Sequence, residues 1–279
     1  MPGLIEKNLD ASLFEPTIVF TNRAFHGSKL AKKGVGEYDY IVAVGGDGTV
    51  NEIASSIAGT DTVLGILPFG SGNGLARFLG IPMDTTEAIK TLNEKRVELI
   101  DSAKMNRQWF FNMAGMGFDA HISEVFSHDK TRGFGAYIRS SFREIINYKA
   151  EMYQLEIDGV HYDREAFMLS FANSSQYGNN AHVSPHASVQ DGLLDVCIIK
   201  SFPLYTFIGM GLRMFLKTAD KSKYVEIIHG KNILVKRIKE GPVHLDGEPQ
   251  IMGTDIEINI VPKSLKIITG KGFKGNSKF

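Results

Sequence analysis

The chain has 279 residues, with 31 basic and 31 acidic side chains and therefore a formal net charge of zero. A hydrophobic content of 43% beside 22% charged residues is typical of a globular protein and excludes an intrinsically disordered chain. The lack of net positive charge argues against nucleic acid as a partner, and the single cysteine, Cys197, excludes an internal disulfide.

Helices and strands are predicted to alternate over the first hundred residues, which favours an α/β layer with a parallel sheet. In chain order the predicted elements are Pro2–Leu13 (helix), Thr17–Thr21 (strand), Ser28–Lys33 (helix), Tyr40–Val44 (strand), Val50–Ile57 (helix), Val63–Leu67 (strand), Asn73–Leu79 (helix) and a helix capped by Asp84 that ends at Asn93. The apolar run YIVAV, at Tyr40–Val44, is typical of a buried parallel strand.

Short strands dominate the chain after about residue 100, and they predict an antiparallel β-sandwich. They are Val97–Ile100, Trp109–Met113, Tyr153–Ile157, Ala166–Phe171, Leu194–Lys200, Asn232–Val235, Val243–Leu245, Ile256–Val261 and Leu265–Thr269. The dipeptide Asp158-Gly159 predicts a tight hairpin turn. Residues 127–150 and 203–217 are predicted to be helical.

No targeting or membrane-spanning segment is predicted. The first residues, MPGLIEKNLDASLF, lack the basic and apolar regions of a signal peptide, so we expect a cytoplasmic protein. The most apolar stretch, Phe202–Leu216, is interrupted by Arg213 and is shorter than the ~20 residues of a spanning helix. Its apolar residues lie almost all round a helix, which favours packing within the protein over contact with lipid.

The strongest motif is the turn GGDGTVNE at Gly45–Glu52, between a predicted buried strand and a helix. Glycines let a backbone turn sharply and let its N–H groups approach an anion, and the positive end of the helix dipole points to the same place. Asp47 would repel a phosphate unless it holds Mg²⁺, directly or through water. The alternative is a plain strand–helix turn in which Asp47 caps the helix.

A second turn, PFGSGNGLAR at Pro68–Arg77, also follows a buried strand and precedes a helix. Ligands of parallel sheets bind at the carboxyl ends of the strands, where both turns lie. Ser71 and Asn73 could contact ribose or phosphate. Alone this turn could equally be a loop; beside the first turn it indicates a nucleotide site.

A third motif, VHLDGE at Val243–Glu248, contains an Asp-Gly pair that most often marks a hairpin turn. Two turns suited to phosphate would fit a kinase, but they contain no residue to act as its general base. An alcohol that attacks a phosphoryl group needs a carboxylate to orient it and accept its proton, and Asp246 is the candidate.

Together these residues resemble the diacylglycerol kinase and sphingosine kinase superfamily of lipid kinases. The matching segments follow the family's order along nearly the whole chain: GGDGTVNE (45–52), PFGSGNGLAR (68–77), NMAGMGFDA (112–120), DGLLDV (191–196) and LDGE (245–248). The resemblance implies a Rossmann-like α/β nucleotide domain of residues 1–100, joined by about 262–279, and an antiparallel β-sandwich of residues 101–261. It also implies a cleft between them that binds ATP, Mg²⁺ and a lipid alcohol.

The resemblance assigns site residues position by position. Catalytic roles fall to Asp246 as the base, to Glu248 and to Asp47. Nucleotide contacts fall to Thr21, Gly45, Gly46, Asp47, Gly48, Thr49, Val50, Asn51, Glu52, Gly70, Ser71, Gly72, Asn73 and Arg132. A structural Mg²⁺ site would use Ser188, Asp191 and Leu193, with Asp101 a candidate partner of Asp47 or of the metal.

Two departures from the family pattern affect the expected activity. Bacterial diacylglycerol kinases often have Asp where this chain has Gly74, and sphingosine kinases have a small residue there, so a sphingoid or other long-chain alcohol stays open. Family members also open with a strand and an Asn-Pro-x-(Ser/Ala)-Gly turn, which this sequence lacks.

We therefore expect an ATP-dependent lipid kinase, with diacylglycerol as the leading substrate and a sphingoid base as the alternative. Because NAD kinases and phosphofructokinases also carry GGDG, a kinase of a soluble substrate such as NAD stays open. So does a nucleotide- or lipid-binding protein without catalysis. Peripheral contact with the inner face of a membrane and assembly as a homodimer are further expectations.

Overall fold

The structure is a computed structural model that describes residues 1–128, 143–145 and 148–275. The helices of these ranges are Pro2–Asn8 (α1), His26–Gly34 (α2), Asp47–Ile57 (α3), Gly74–Phe78 (α4), Thr85–Asn93 (α5), Phe118–His128 (α6) and Phe207–Phe215 (α7), with single 3-10 turns at Leu204–Thr206 and Ala219–Lys221.

Sixteen strands are described in the same ranges. They are Tyr40–Gly45 (β1), Val63–Pro68 (β2), Val97–Met105 (β3), Gln108–Phe110 (β4), Met113–Gly117 (β5), Glu151–Ile157 (β6), Val160–Ala166 (β7), Met168–Ala172 (β8), Gln176–Gly178 (β9), Ala181–His182 (β10), Leu194–Ile199 (β11), Val225–Gly230 (β12), Asn232–Arg237 (β13), Gly241–Leu245 (β14), Glu248–Met252 (β15) and Asp255–Ile268 (β16).

One long strand, β16, connects the two halves of the larger sheet. Its second half pairs in parallel with β2 and antiparallel with β3, and its first half pairs antiparallel with β13 and β3. The sheet thereby runs β1-β2-β16-β13-β6-β7 without a break. The parallel α/β part and the antiparallel part therefore share one hydrogen-bonded sheet.

A second sheet, in the order β12-β11-β8-β5-β14-β15, packs against the antiparallel part. Their facing side chains form one buried apolar cluster, with Met105, Tyr153 and Ile258 from the first sheet and Phe171 and Val196 from the second. This arrangement confirms the predicted fold class, an α/β layer followed by an antiparallel β-sandwich. The proposed domain boundaries stay a prediction.

Helix α3 shows how local sequence positions the site. Val50, Ile53, Ala54 and Ile57 are buried on one face, as their spacing predicts. They belong to the core that covers β1 and β2, so the first turn of α3 is held at the carboxyl ends of those strands. The structure also confirms a predicted helix cap and a predicted turn. Asp84 accepts the Glu87 N–H at 3.0 Å, and Asp158-Gly159 closes the β6–β7 hairpin.

Several predicted elements differ from the structure. The strand over Thr17–Thr21 is wrong: Val19 and Phe20 are exposed, and the segment is paired with no strand of the described ranges. A β-branched run favours a strand only where a neighbour supplies backbone partners. Helix α1 ends at Asn8 instead of Leu13, and the two strands predicted over 256–269 are the single strand β16.

Candidate active site

The two glycine turns touch each other. β1 and β2 are adjacent and parallel, and Phe69 N donates to Gly45 O at 2.8 Å just beyond their ends. A Cβ on Gly70 would lie 2.6 Å from the Cα of Gly46, a separation that real Cβ atoms do not show. Only glycine at these positions lets the two backbones come this close.

Asp47 joins the first turn to the second. Its Oδ2 accepts the Asn73 N–H and its Oδ1 accepts the Gly74 N–H, each at 2.8 Å. Asp47 therefore caps α4, the helix of the other turn, and not its own helix α3, whose N-cap residue is Gly46. Asn73 adopts a φ of 50°, and its side-chain oxygen accepts the Gly70 N–H at 2.9 Å. Three amides of the second turn thus hold the turn itself.

The first turn of α3 has backbone amides without an acceptor in the helix. Val50 N donates to Gly46 O at 3.0 Å, so the amides of the preceding residues, Gly48 and Thr49, have no acceptor within the helix. The Thr49 side chain covers Gly45, where a Cβ would lie 2.5 Å from Oγ1. These free amides and the helix dipole suit a phosphate.

Asp246 lies at the tip of the β14–β15 hairpin, facing α3. With Gly247 it forms the two-residue turn between the paired residues Leu245 and Glu248, and its φ of 49° is one that aspartate tolerates. The hairpin interpretation and the catalytic one are therefore compatible. Its side chain accepts four hydrogen bonds although Asp246 is only 8% exposed.

Both oxygens of Asp246 are held in place. Oδ2 accepts the Asn51 side-chain amide at 2.7 Å and the Phe111 N–H at 3.0 Å. Oδ1 accepts the N–H groups of Asn112 and Met113 at 2.8 and 3.0 Å. Because Asn51 belongs to the GGDGTVNE segment, the helix of the phosphate turn directly orients the hairpin carboxylate.

Burial raises the pKa values of the acidic side chains in this cluster. It raises the pKa of Asp246, against the opposing effect of the Asn51 hydrogen bond. Burial and then the negative charge of Asp246 raise the pKa of Asp47 to about 6. Glu248 adds a third carboxylate, since a Cβ on Gly48 would lie 2.3 Å from its Oε1.

These residues fit a divalent cation. Two buried carboxylates, Asp47 and Asp246, repel each other, and no basic group enters the causes of either pKa shift. Mg²⁺ is commonly held by one or two carboxylates, with substrate phosphates and water completing its shell. The described residues contain no group of three or more acidic, histidine or cysteine side chains arranged as a full metal site.

Two residues of the first motif have structural contacts instead. The Glu52 carboxylate accepts the Ser28 N–H at 2.8 Å and so ties α2 to α3. Val50 is buried in the core. Their assignment to the nucleotide stays a prediction, and the structure gives each side chain another role.

The other predicted nucleotide contacts are spread out. Ser71 is exposed beside Gly72 at the tip of the second turn. Thr21 lies in the exposed segment that replaces the expected strand. Arg132 lies outside the described residues.

The predicted structural metal segment forms a separate acidic loop. The Asp191 carboxylate accepts the Leu193 N–H at 3.1 Å, and burial raises its pKa, with Asp195 and Asp101 adding negative charge. Asp101 accepts the Gly192 N–H at 2.7 Å and so belongs to this loop. The Ser188 hydroxyl accepts the Gln190 N–H at 3.2 Å. Mg²⁺ binding by Ser188, Asp191 and Leu193 stays a prediction.

Sequence reasoning missed a buried polar cluster behind the hairpin. Oδ2 of Asp119 lies 3.0 Å from His244 Nε2 and accepts the Tyr177 hydroxyl at 2.8 Å. His244 is two residues before Asp246, and its Nδ1 lies 3.4 Å from the Gly247 N–H. The signal was available, since Asp119 and His244 both lie in quoted motifs, but only the fold brings them together.

Comparison with known proteins identifies the family. A model of the diacylglycerol kinase catalytic domain matches residues 2–105, and one of the YegS C-terminal NAD kinase beta sandwich-like domain matches residues 112–269. A Pseudomonas putida protein named "Probable lipid kinase YegS-like" is 30% identical over 239 residues, which are 82% of this chain and 77% of that protein. The chain belongs to the diacylglycerol kinase-like family of lipid kinases.

Two further relatives support this membership. The diacylglycerol kinase of Bacillus subtilis is 29% identical over 230 residues, or 81% of this chain and 76% of that protein. A crystal structure from Bacillus anthracis, described as a candidate diacylglycerol kinase, is similar with a TM-score of 0.80 and 26% identity, over 96% of this chain and 92% of that one. This lipid kinase is therefore a phosphotransferase, and kinase membership implies the use of ATP.

Proposed function

We propose that this lipid kinase transfers the γ-phosphoryl group of ATP to the hydroxyl of diacylglycerol, giving phosphatidate. The observation that carries the proposal is the hydrogen bond of 2.7 Å between Asn51 Nδ2 and Asp246 Oδ2. It places a buried carboxylate at the first turn of the helix whose amides suit a phosphate. A phosphate site and a base within reach of each other are what phosphoryl transfer to an alcohol requires.

The amides of Gly48 and Thr49 would bind phosphate oxygens of the nucleotide. Asp47 would hold Mg²⁺, directly or through water, and the ion would supply positive charge to the phosphates when it is bound. Asp47 also keeps the second turn in place through the Asn73 and Gly74 amides, so its loss would disturb both turns.

Asp246 would act as the general base. Its carboxylate takes the proton from the lipid hydroxyl as that oxygen bonds to the γ-phosphorus, while the bond between the γ-phosphorus and its bridging oxygen breaks and ADP leaves. The donors at Asn51, Phe111, Asn112 and Met113 keep both oxygens oriented. Burial, which raises the pKa of Asp246, brings its basicity closer to that needed for proton transfer near neutral pH.

The surroundings of Gly74 bear on the choice of lipid. A Cβ there would lie 2.5 Å from Asn112 Nδ2 and 2.8 Å from Tyr177 O, so this chain has no space for the aspartate that is frequent in bacterial diacylglycerol kinases. Packing alone therefore accounts for Gly74, and the small residue does not by itself favour a sphingoid base. The diacylglycerol kinase of B. subtilis among the relatives supports diacylglycerol as the first substrate to test.

The decisive experiment is transfer of labelled phosphate from ATP to separate acceptors: diacylglycerol, sphingoid bases, a total lipid extract and NAD. We expect labelled phosphatidate with the parent chain and none with Asp246→Asn. Label on a sphingoid base alone would establish the alternative substrate, and label on NAD alone would overturn the lipid kinase proposal.

A further inference from the structure

Helix α7 presents an apolar surface to solvent. Its inner side packs on the sandwich through Met210, Phe207 and Met214. On the other side Ile208 and Leu212, one turn apart, are 71% and 56% exposed, and Tyr205 in the preceding turn is 84% exposed. A helix with one apolar side buried normally turns polar residues outward, so this second apolar side needs an explanation.

Basic side chains surround this surface. Between Leu204 and Tyr224 the chain has four basic residues, Arg213, Lys217, Lys221 and Lys223, and one acidic residue, Asp220. All four basic residues are exposed, and none forms an ion pair with another part of the described chain. The Asp220 carboxylate lies 3.7 Å from His186 Nε2. A chain of zero net charge thus concentrates positive charge beside its apolar helix.

A recess beside α7 is large enough to hold a polar group. It has a volume of about 460 Å³, and Arg213, Lys221 and Lys223 line it together with Tyr224 and Met210. Basic and aromatic groups around a recess beside an apolar surface complement an anionic lipid headgroup and its acyl chain.

The same helix is connected to the active site through a two-stranded ribbon. α7 contacts β10, and β9, the other strand of the ribbon, contacts α4 of the second glycine turn. The carbonyl oxygen of Tyr177, in β9, lies 2.8 Å from the position that a Cβ on Gly74 would take. The β9–β10 ribbon therefore connects the α7 surface to the second glycine turn.

We propose that the α7 face, formed by Leu204, Tyr205, Ile208, Leu212 and Leu216 with Arg213, Lys217, Lys221 and Lys223, docks on an anionic lipid bilayer. The proposal deepens the proposed function, since it states how this lipid kinase reaches a substrate embedded in a membrane. The apolar side chains enter the interface between headgroups and acyl chains, and the basic ones contact anionic headgroups.

Flotation with vesicles tests the apolar part. We expect the chain to float with phosphatidylcholine vesicles that contain phosphatidylserine, and Ile208→Asp/Leu212→Asp to reduce the bound fraction at least tenfold. The matched control, Ile238→Asp/Val160→Asp, changes residues that are 87% and 54% exposed but lie away from α7. Ile238 lies in the β13–β14 connection, and Val160 is the first residue of β7. Equal loss in both double variants, or no loss in the first, would overturn the proposal.

Charge reversal tests the basic part. Lys221→Glu/Lys223→Glu should weaken binding to vesicles with phosphatidylserine severalfold and leave the weak binding to pure phosphatidylcholine unchanged. Lys32→Glu/Lys33→Glu on α2 is the control with the same change of net charge. If both pairs weaken binding equally, the attraction is general and the α7 face is not the docking surface.

Two measurements separate this proposal from its alternatives. If the α7 face is instead covered by a second copy, sedimentation will show a dimer that Ile208→Asp/Leu212→Asp converts to a monomer, and vesicles will not bind; that result overturns docking. Transfer to a substrate dispersed in detergent micelles measures catalysis apart from docking. We expect the α7 variants to keep that activity and to lose activity on vesicles, whereas failure of the proposed function would abolish both in the parent chain.

Discussion

The side-chain amide of Asn51 donates a hydrogen bond of 2.7 Å to Oδ2 of Asp246, although 195 residues separate them in the sequence. Asn51 Nδ2 also donates to the carbonyl of Trp109 at 3.0 Å, and its Oδ1 accepts the Ser55 hydroxyl at 3.3 Å. The amide is thus fixed on both sides, and it fixes the carboxylate in turn. Asn51 is a positioning residue for the proposed base.

Asn51→Ala should lower kcat about 10- to 100-fold, because a hydrogen bond to a charged group contributes about 1.5–3 kcal/mol. The affinity for ATP should change little, since the amides of the α3 turn are unaffected. Steady-state transfer and nucleotide titration measure the two effects. Ser55→Ala removes only the outer hydrogen bond and is the matched control, and an equal loss in both variants would argue against positioning.

Asp246→Asn should abolish transfer and retain nucleotide binding. The neutral side chain cannot accept the hydroxyl proton, while the phosphate amides at Gly48 and Thr49 remain. Isothermal titration with an ATP analogue and labelled transfer check the two halves of this expectation. Activity near that of the parent chain would remove Asp246 from the role of base.

The stability of the chain should fall as the pH rises from about 4 to about 6, in the absence of metal and nucleotide. Asp47 has a folded pKa of about 6, above its ordinary value of 3.8. In that window the unfolded chain has already released the proton that the folded chain keeps. The free energy of unfolding therefore decreases with pH and then levels off, by about 3 kcal/mol at most.

Urea unfolding at pH 4, 5, 6 and 7 would measure this decline, with Asp47→Asn as the comparison. The variant should show a flatter dependence on pH, whatever its absolute stability. Parallel profiles for the two chains would mean that Asp47 ionises normally in the fold.

Gly70→Ala should destabilise the fold by about 1–3 kcal/mol, the usual cost of forcing an added methyl into a packed site. The added Cβ would meet the Cα of Gly46 at 2.6 Å and Asn73 Oδ1 at 2.7 Å, so backbone would have to move. Gly253→Ala is the control, since a Cβ there meets nothing within 4 Å. Thermal and urea unfolding compare the variants, and equal stability would show that the turns can separate freely.

His244→Ala should reduce both stability and kcat, because it leaves the buried Asp119 carboxylate without one of its partners and frees the Gly247 amide. Leaving a buried acceptor without its hydrogen-bond partner costs about 1–3 kcal/mol, so the loss should be visible in urea unfolding. His244→Gln can still donate to Asp119 and should recover much of kcat. If the glutamine variant regains stability but not activity, the histidine does more than hold the hairpin.

Local patterns predicted much of the fold. The spacing of Val50, Ile53 and Ile57 defined the buried face of α3, and Asp158-Gly159 defined a hairpin, because both depend on neighbours in sequence. The strand over Thr17–Thr21 failed because its formation depends on a partner strand that sequence periodicity does not report. Strand pairing is a property of two segments.

Some features of the candidate site were also predictable from sequence, and others depend on the fold. Glycines beside a strand end predicted the turn between β1 and α3, and the Asp-Gly pair predicted the hairpin turn that holds Asp246. The partners of Asp47 were not predictable, because its carboxylate binds amides of the other turn. The Asp119–His244 pair was missed for the same reason: 125 residues lie between them, and only the sandwich brings their strand and helix together.

The continuity of β16 has a consequence for how the chain is made. Ile267 of this strand pairs with Leu64 of β2, so the nucleotide-binding sheet includes a segment that the ribosome delivers long after β1 and β2. The early half must therefore emerge with one side of β2 uncovered and stay incomplete until the sandwich strands have been synthesised. We expect folding to be slow and to end with the insertion of β16, and chaperone dependence to be greatest before that step.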